Sequence, residues 1–195
     1  MSGTIDFYFD FSSPYGYLGS HRIEPLAARH GREVLWHPIL LGAAFKLTGS
    51  RPLTEQPIRQ DYFLRDFPRS ARFYGIPYKH PTVFPVSTVA ACRAYYAVVD
   101  RGKAVTLAKA LYKAFFVDDI NISEAENVIR VAAGAGCDVR AALGDQAVKD
   151  KTKAEVDAAI AKGVFGSPYV IADGEPFWGV DRFDQLEKWL ATGGF

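Results

Sequence analysis

The 195-residue sequence predicts an α/β fold with strands at both ends of the chain and helices in the middle. Apolar and polar side chains alternate from Thr4 to Phe11, as they do in a strand with one buried face. From about residue 57 to residue 163, apolar residues recur at helical spacing. Beyond that block, two short strand patterns flank Asp173-Gly174, a dipeptide typical of tight hairpin turns.

The N-terminal segment predicts a strand, a helix and a second strand. Thr4 to Phe11 is the first strand. Pro14 suits the first position of a helix, because its ring presets φ and its missing N–H is not needed there. That helix should run to about His30 and stop at Gly31, and Glu33 to Pro38 has the pattern of the second strand. Parallel strands joined through a helix should have a right-handed crossover.

The middle of the chain predicts a block of helices with one specific start signal. Ser123 and Glu126 form the S-x-x-E pattern of a capping box. The predicted helices are Ile58–Tyr74, Ser87–Arg101, Val105–Phe116, Ser123–Ala135 and Asp145–Lys162.

The C-terminal segment predicts a hairpin of Tyr169–Ala172 and Pro176–Trp178, followed by a helix from Asp181 to Leu190. The whole order is β-α-β, a helical block, then β-β-α. That is the order of a thioredoxin-like fold with a large helical insertion between its two halves. We therefore expect a thioredoxin-like domain of residues 1–40 and 164–195 and a helical insertion domain of residues 41–163.

Composition and charge narrow the classes of function. Hydrophobic residues make up 49% of the chain, enough for a sizeable core, and the net charge of +1 gives no general attraction to nucleic acid or anionic membranes. We expect neither a secretory leader nor a transmembrane helix. Cys92 and Cys137 lie far apart, and neither they nor the four histidines have metal-ligand spacing. These features favour a cytoplasmic protein without a metal site.

The junction at Ser12-Ser13-Pro14 is the first candidate site. Ligands of α/β proteins gather where a strand ends and a helix begins, because free N–H groups and the helix dipole favour negative charge there. Ser13 occupies that junction. Its hydroxyl suits two roles, capping the helix or donating a hydrogen bond to an anion. The local pattern leaves both open.

Four stretches carry a resemblance to a known family. They are FYFDFSSPYGYL near the start, LLGAAFKLTGSRP after the second strand, FPVST in the helical block, and VFGSPYVIADGEPFWGVDRFDQLE near the end. Thioredoxin-like disulfide oxidoreductases have C-P-x-C where this chain has Ser13-Pro14-Tyr15-Gly16. Together the stretches resemble the kappa-class glutathione transferases, and most of all their bacterial relatives, the 2-hydroxychromene-2-carboxylate isomerases.

The resemblance implies a glutathione site built around Ser13. In that family the matching serine lies beside the glutathione sulfur, where a hydroxyl donor and a helix N-terminus would stabilise the thiolate. Ser167-Pro168 matches a cis-proline loop opposite the helix, and the backbone of residue 167 would pair with the cysteinyl part of glutathione.

The resemblance also implies charged contacts farther from the sulfur. The start of the last helix, Val180-Asp181-Arg182, matches the place where the γ-glutamyl end of glutathione is held, with Asp181 taking the ammonium. An aspartate there would also stabilise the helix dipole. Lys46 matches a lysine in the loop after the second strand, near glutathione and substrate, and Arg51 is a further candidate for the substrate carboxylate. A solvated loop lysine is the alternative reading of Lys46.

The implied function is a glutathione-dependent isomerase of aromatic catabolism, working as a homodimer. It would interconvert 2-hydroxychromene-2-carboxylate and trans-o-hydroxybenzylidenepyruvate-type substrates. The alternatives are a kappa-type glutathione S-transferase that conjugates electrophiles and a non-catalytic thioredoxin-like binding protein. A dithiol oxidoreductase is disfavoured, because Ser13 and Gly16 carry no sulfur at the two cysteine positions of its motif. Ser50, Ser87 and Val180 stand where relatives commonly have amide or hydroxyl side chains, which bears on glutathione affinity and substrate choice.

Overall fold

The computed structural model describes residues 3–195 and contains a four-stranded mixed sheet. Its strands are β1 (Thr4–Phe9), β2 (Glu33–Pro38), β3 (Tyr169–Ala172) and β4 (Glu175–Trp178). They lie in the order β2-β1-β3-β4. β1 pairs parallel to β2 and antiparallel to β3, and β3 pairs antiparallel to β4. This confirms the predicted thioredoxin-like fold, with the β-α-β and β-β-α halves joined in one sheet through β1 and β3.

The helices follow the predicted order, with most ends shifted by a few residues. They are α1 (Pro14–Arg29), α2 (Leu41–Thr48), α3 (Arg59–Tyr74), α4 (Val89–Ala97), α5 (Arg101–Phe116), α6 (Ala125–Gly134), α7 (Gln146–Ala161) and α8 (Phe183–Thr192). α2 was missed by sequence reasoning, which treated the segment after β2 as a loop. Lys46 therefore lies in the last turn of a short helix.

One predicted helix end and the following predicted start are wrong within the helical block. The helix expected over Ser87–Arg101 ends at Ala97, because Asp100 caps a new helix: its carboxylate accepts the Lys103 N–H at 2.9 Å. α5 consequently starts at Arg101 and not at Val105. Both errors arise from a cap that interrupts a continuous apolar pattern.

The capping box at Ser123 does not form. The Ser123 hydroxyl donates to Asn121 Oδ1 at 2.7 Å, and α6 begins two residues later, after Glu124. Glu126 bonds to the Arg140 guanidinium at 2.9 and 3.1 Å. The Ser123 side chain therefore bonds to Asn121 and does not cap a helix, a local bond that short polar side chains often make in turns.

At the C-terminal end, the predicted hairpin is confirmed. Asp173 and Gly174 have φ of 54° and 86°, the left-handed pair that a tight hairpin turn requires. The final helix is preceded by a short 3₁₀ turn, Val180–Arg182, so α8 starts at Phe183 and not at Asp181.

A large hydrophobic cluster joins the sheet to the helical block. Phe9 and Phe11 lie 5.6 and 5.3 Å, ring to ring, from Tyr112 of α5, and Tyr17 of α1 stacks on Phe116 at 5.2 Å. The division into residues 1–40 with 164–195 and residues 41–163 stays a prediction, one whose boundary this cluster crosses. Within residues 3–195, each helix is too short or too polar to cross a membrane.

Candidate functional site

The N-terminus of α1 is closed by Ser13, which makes bonds in two directions. The Gly16 N–H donates to Ser13 Oγ at 3.0 Å, so the side chain caps the helix. The Ser13 hydroxyl in turn donates to the carbonyl oxygen of Ser167 at 2.9 Å. Ser13 thus caps α1 and also links it to the opposite loop.

The Ser167–Pro168 peptide bond is cis, as predicted. Ser167 is buried, and its hydroxyl oxygen accepts the Asp10 N–H at 2.9 Å. Among the hydrogen bonds of residues 3–195, none uses the Ser167 backbone N–H. A Cβ added at Gly19 would lie 3.1 Å from the Pro168 ring, so the proline packs directly on α1. This loop therefore presents one free backbone donor beside Ser13.

Gly16 fills the place of the second cysteine of the oxidoreductase motif, and it has no room for a side chain. A Cβ built there would lie 2.5 Å from Ser167 Oγ and 2.7 Å from the Tyr112 hydroxyl oxygen. Tyr112 is fully buried, which raises the pKa of its hydroxyl, and it donates to the Asp10 carbonyl at 3.0 Å. Ser13, Gly16, Ser167 and Pro168 are here called the Ser13 junction.

Asp10 is a functional candidate that sequence reasoning missed. Its buried carboxylate accepts four hydrogen bonds: from the Ser12 N–H and hydroxyl, both at 2.8 Å, from the Leu41 N–H at 2.7 Å and from the Thr88 hydroxyl at 3.1 Å. Burial raises the pKa of Asp10, and the four hydrogen bonds act in the opposite direction. The available signal was an acidic residue at the end of an aromatic strand, three positions before Ser13.

A second group missed from the sequence connects α1 to α3. The Tyr15 hydroxyl donates to Asp66, which also accepts from Arg69, and the Tyr15 ring packs edge-on against Phe67 at 5.2 Å. Burial, followed by the neighbouring Asp66 carboxylate, raises the pKa of Tyr15. Burial also works against ionisation of Asp66, but the hydrogen bonds from Tyr15 and Arg69 outweigh it and lower its pKa. Tyr15 thereby fixes α3 against the first turn of α1.

The charged residues predicted for the site lie on the surface around it. Lys46 is exposed at the end of α2. Asp181 and Arg182 are also exposed, and they approach each other to 3.6 Å. We call these three residues the charged margin. The structure brings Ser13, Ser167 and Pro168 together, but it records no bond between them and the charged margin.

Val180 connects the two regions. It is buried, and its carbonyl accepts from the Arg22 guanidinium at 3.0 Å. The preceding Gly179 donates its N–H to the Pro168 carbonyl at 3.0 Å and has φ of 105°, a value that favours glycine. The start of the last helical segment is therefore tied to the cis-proline loop. Ser50 and Ser87, the other departures from the family pattern, are both exposed.

Comparison with known proteins places this architecture in a family. Residues 4–191 match the model of the DSBA-like thioredoxin domain. The 2-hydroxychromene-2-carboxylate isomerase of Sphingobium xenophagum is 31% identical, over 97% of this chain and 99% of that protein. A glutathione S-transferase kappa 1 of Caenorhabditis elegans is 27% identical, over 95% of this chain and 90% of that protein.

A solved structure supports the same family assignment. That of selenomethionine 2-hydroxychromene-2-carboxylate isomerase superposes with a TM-score of 0.87 at 26% identity, covering 96% of this chain and 94% of the other. The likeness extends over the strands, the helical block and the cis-proline half alike. The chain belongs to the DSBA-like thioredoxin family and, within it, to the family of the 2-hydroxychromene-2-carboxylate isomerases.

Proposed function

We propose that this chain is a glutathione-dependent isomerase that interconverts 2-hydroxychromene-2-carboxylate and trans-o-hydroxybenzylidenepyruvate-type substrates in aromatic catabolism. One observation carries the proposal. The Ser13 junction has the form of a thioredoxin-like redox site, yet it holds a hydroxyl at position 13 and excludes any side chain at position 16. Such a site is suited to a thiol supplied by a small molecule.

The residues present fit glutathione. A free thiol with a pKa of about 8.5 is only partly ionised at neutral pH, and a hydrogen-bond donor beside it favours the thiolate. Ser13 has one hydroxyl proton, which now bonds to the Ser167 carbonyl. Turning that proton to a thiolate exchanges a bond of about 0.5–1.5 kcal/mol for one of about 1.5–3 kcal/mol, because the new acceptor is charged. The Ser167 carbonyl would then need the cysteinyl N–H of glutathione as its new donor, since a buried acceptor left unpaired costs about 1–3 kcal/mol. The free Ser167 N–H is a second donor for the ligand backbone.

The charged margin supplies charged side chains for the ends of glutathione, which the Ser13 junction lacks. Glutathione carries one ammonium and two carboxylates. Asp181 is the group for the ammonium, Arg182 and the backbone N–H of Val180 suit a carboxylate, and Pro168 flanks the cysteinyl part. Lys46 is assigned to the substrate carboxylate, and the resemblance places it near glutathione as well.

Ser13 and the Ser167 backbone would hold glutathione, whose thiolate would supply a nucleophile for reversible addition to the conjugated substrate, so that the former double bond can rotate as a single bond before the thiolate is eliminated. The Ser13 hydroxyl would donate to the sulfur whenever it carries charge and would thereby favour the thiolate over the thiol. Lys46 orients the substrate by its carboxylate. The junction contributes no redox-active sulfur, because the two cysteines, Cys92 and Cys137, are buried elsewhere.

A kappa-type transferase is the second candidate, favoured by the resemblance to kappa-class proteins over most of the chain. It would use the same thiolate site and release a conjugate in place of an isomer. Product analysis with both kinds of substrate separates the two. We further propose a homodimer, which rests on the resemblance, and a cytoplasmic location, which rests on the two separated cysteines.

The test measures the pKa of the glutathione thiol in the complex. The absorbance of the thiolate is recorded from pH 5 to 10. The wild-type protein should lower the thiol pKa. Ser13→Ala should raise it again and reduce turnover at neutral pH by about ten- to a hundredfold, with partial recovery at higher pH. Ser20→Ala is the matched control, since it removes a buried hydroxyl of the same helix that donates to the Tyr17 carbonyl at 2.6 Å.

The outcomes are distinct. If Ser13 only caps the helix, its replacement lowers stability by about 1 kcal/mol and leaves the thiol titration unchanged. If millimolar glutathione neither binds nor raises the melting temperature of the wild-type protein, a non-catalytic binding protein becomes the better reading.

A further inference from the structure

The Asp10 carboxylate joins the starts of three helices. Ser12 precedes α1, Leu41 is the first residue of α2, and Thr88 is the residue before α4. Ser12 and Thr88 each donate a hydrogen bond to Asp10 Oδ1, and Leu41 donates one to Asp10 Oδ2. The residue also reaches the Ser13 junction through its backbone, because its carbonyl accepts the Ser13 N–H at 2.9 Å. One buried residue thus bonds to Ser13 and to α2.

Few contacts besides this one fix α2. Ala44 is the one residue of α2 that is buried, and Leu40, which precedes it, offers no side-chain cap. The first N–H groups of a helix have no acceptor within it, so they need one from outside. Asp10 Oδ2 accepts the Leu41 N–H at 2.7 Å, a short bond to an ionisable group. Besides that bond, the helix that carries Lys46 is held by Ala44 and by the Leu41 side chain, which packs against a small apolar cluster around Tyr8.

We infer that Asp10 is a positioning residue for the reaction: by holding the N-terminus of α2, it sets the place of Lys46 relative to Ser13. The inference rests on the proposed function where it assigns Lys46 to the substrate carboxylate. The structural half, that Asp10 holds α2 in place, does not depend on that function. The two halves call for separate measurements.

Leu41→Pro tests the link by removing its donor; the proline Cδ takes the place of the amide hydrogen, so the Asp10 carboxylate must also move away. Proline is favoured at the first position of a helix and has no N–H to donate. Leu40 already has an extended backbone, with φ of −110° and ψ of 101°, the conformation that precedes proline. Leu41→Ala is the matched control, because it also removes the leucine side chain but keeps the N–H. The difference between the two variants reports loss of the bond together with the displacement of the Asp10 carboxylate.

With glutathione saturating, we expect the substrate KM of Leu41→Pro to be about fivefold higher than that of Leu41→Ala. This factor corresponds to the free energy of one exposed ion pair, about 1 kcal/mol. The glutathione dissociation constant should stay within about twofold in both variants. Leu41→Pro combined with Lys46→Gln should be no worse than Lys46→Gln alone, because both act through the same contact. Equal KM values for the proline and alanine variants would overturn the assignment of Lys46.

Hydrogen exchange tests the structural half without substrate or glutathione. Amides of residues 45–48 should exchange about tenfold faster in Leu41→Pro than in Leu41→Ala. Unchanged exchange would overturn the inference even if the protein is an isomerase. Failure of wild-type protein to bind glutathione would instead overturn the proposed function and leave this result standing.

Asp10→Asn provides a second route if Leu41→Pro does not fold. An amide has a single acceptor oxygen, so it cannot accept both the Ser12 and Leu41 N–H groups in the present geometry. Thr88→Val is the control. It removes the hydroxyl before α4 that donates to the Asp10 carboxylate, and it leaves the bond from Asp10 to α2 intact. Faster exchange in α2 should follow from Asp10→Asn and not from Thr88→Val. The same exchange rate in both variants would contradict the role of Asp10.

Discussion

The Ser13 junction and the charged margin face the same proposed ligand, but they are built differently. The junction is buried, and its groups approach so closely that even a methyl group at Gly16 would overlap two oxygens. The margin is exposed, and its internal contact is an ion pair of 3.6 Å between neighbours in sequence. The junction is therefore preorganised, while the margin is adjustable.

This difference separates two kinds of effect. A buried, close-packed group is costly to alter, since neighbouring atoms cannot move apart without losing bonds of their own. An exposed charge is screened by water and salt and contributes at most about 1 kcal/mol. Changes at the junction should alter stability and the rate of reaction together. Changes at the margin should alter affinity alone and should weaken as salt is added.

Gly16→Ala should have the largest effect. The added Cβ must displace Ser167 Oγ or the Tyr112 hydroxyl, and overpacking of this kind costs about 2 kcal/mol of unfolding free energy. Glutathione binding should be lost as well. Urea denaturation and calorimetry measure the two effects. Gly134→Ala in α6 is the control, where a Cβ meets nothing within 4 Å. A Gly16→Ala protein as stable as the control would show that the junction is less rigid than its geometry indicates.

Lys46→Gln should have the next largest effect, on the substrate alone. Removing the charge should raise the KM for an acidic substrate about fivefold, and the difference should shrink in added salt. Steady-state kinetics at two ionic strengths measure it. Lys103→Gln removes an exposed lysine of α5 and should change nothing. A fall in turnover without a change in KM would place Lys46 in the chemical step and would break the distinction between margin and junction.

Asp181→Asn should weaken glutathione binding about threefold, because an exposed carboxylate contact is worth a fraction of a kcal/mol. Titration calorimetry with glutathione tests this. Asp184→Asn removes a carboxylate from the same helix start, where it pairs with Arg22 at 3.4 Å, and it should leave binding unchanged. Equal effects of the two variants would indicate general electrostatics in place of a specific ammonium contact.

The smallest effect should come from Asp66, which stabilises the first turn of α1 through Tyr15. Its pKa is lowered in the folded protein, because the hydrogen bonds from Tyr15 and Arg69 outweigh burial. Its contribution to stability is therefore complete above the ordinary carboxyl pKa of about 3.9 and is lost as pH falls through the lowered value.

Asp66→Asn should accordingly be less stable than wild type at neutral pH, and the two should converge in acid. Urea midpoints across this pH range measure the difference. Asp61→Asn, an exposed carboxylate of the same helix, should track the wild type throughout. A constant difference at all pH values would mean that the Asp66 charge is not what stabilises the contact.

Several parts of this protein could be predicted from the sequence because neighbouring residues determine them. β2 has the predicted ends, α1 begins at Pro14, and the turn at Asp173-Gly174 has the predicted left-handed backbone. Each depends on a local rule: alternation, a ring-restricted φ, or a residue that tolerates positive φ. The position of Ser13 at a helix start follows in the same way, and with it the location of the candidate site.

Only the tertiary structure decided how that site is closed. Asp10 bonds to Leu41, 31 positions away, and to Thr88, 78 positions away, and no local pattern links them. Position 16 excludes a side chain because Ser167 and Tyr112 approach it from distant parts of the chain. The first strand ends at Phe9, before the predicted Phe11, where the Asp10 N–H bonds to the Ser167 hydroxyl oxygen. Periodicity reports which face of a segment is buried, but it carries no information on which buried polar groups will meet, because that depends on how the segments pack.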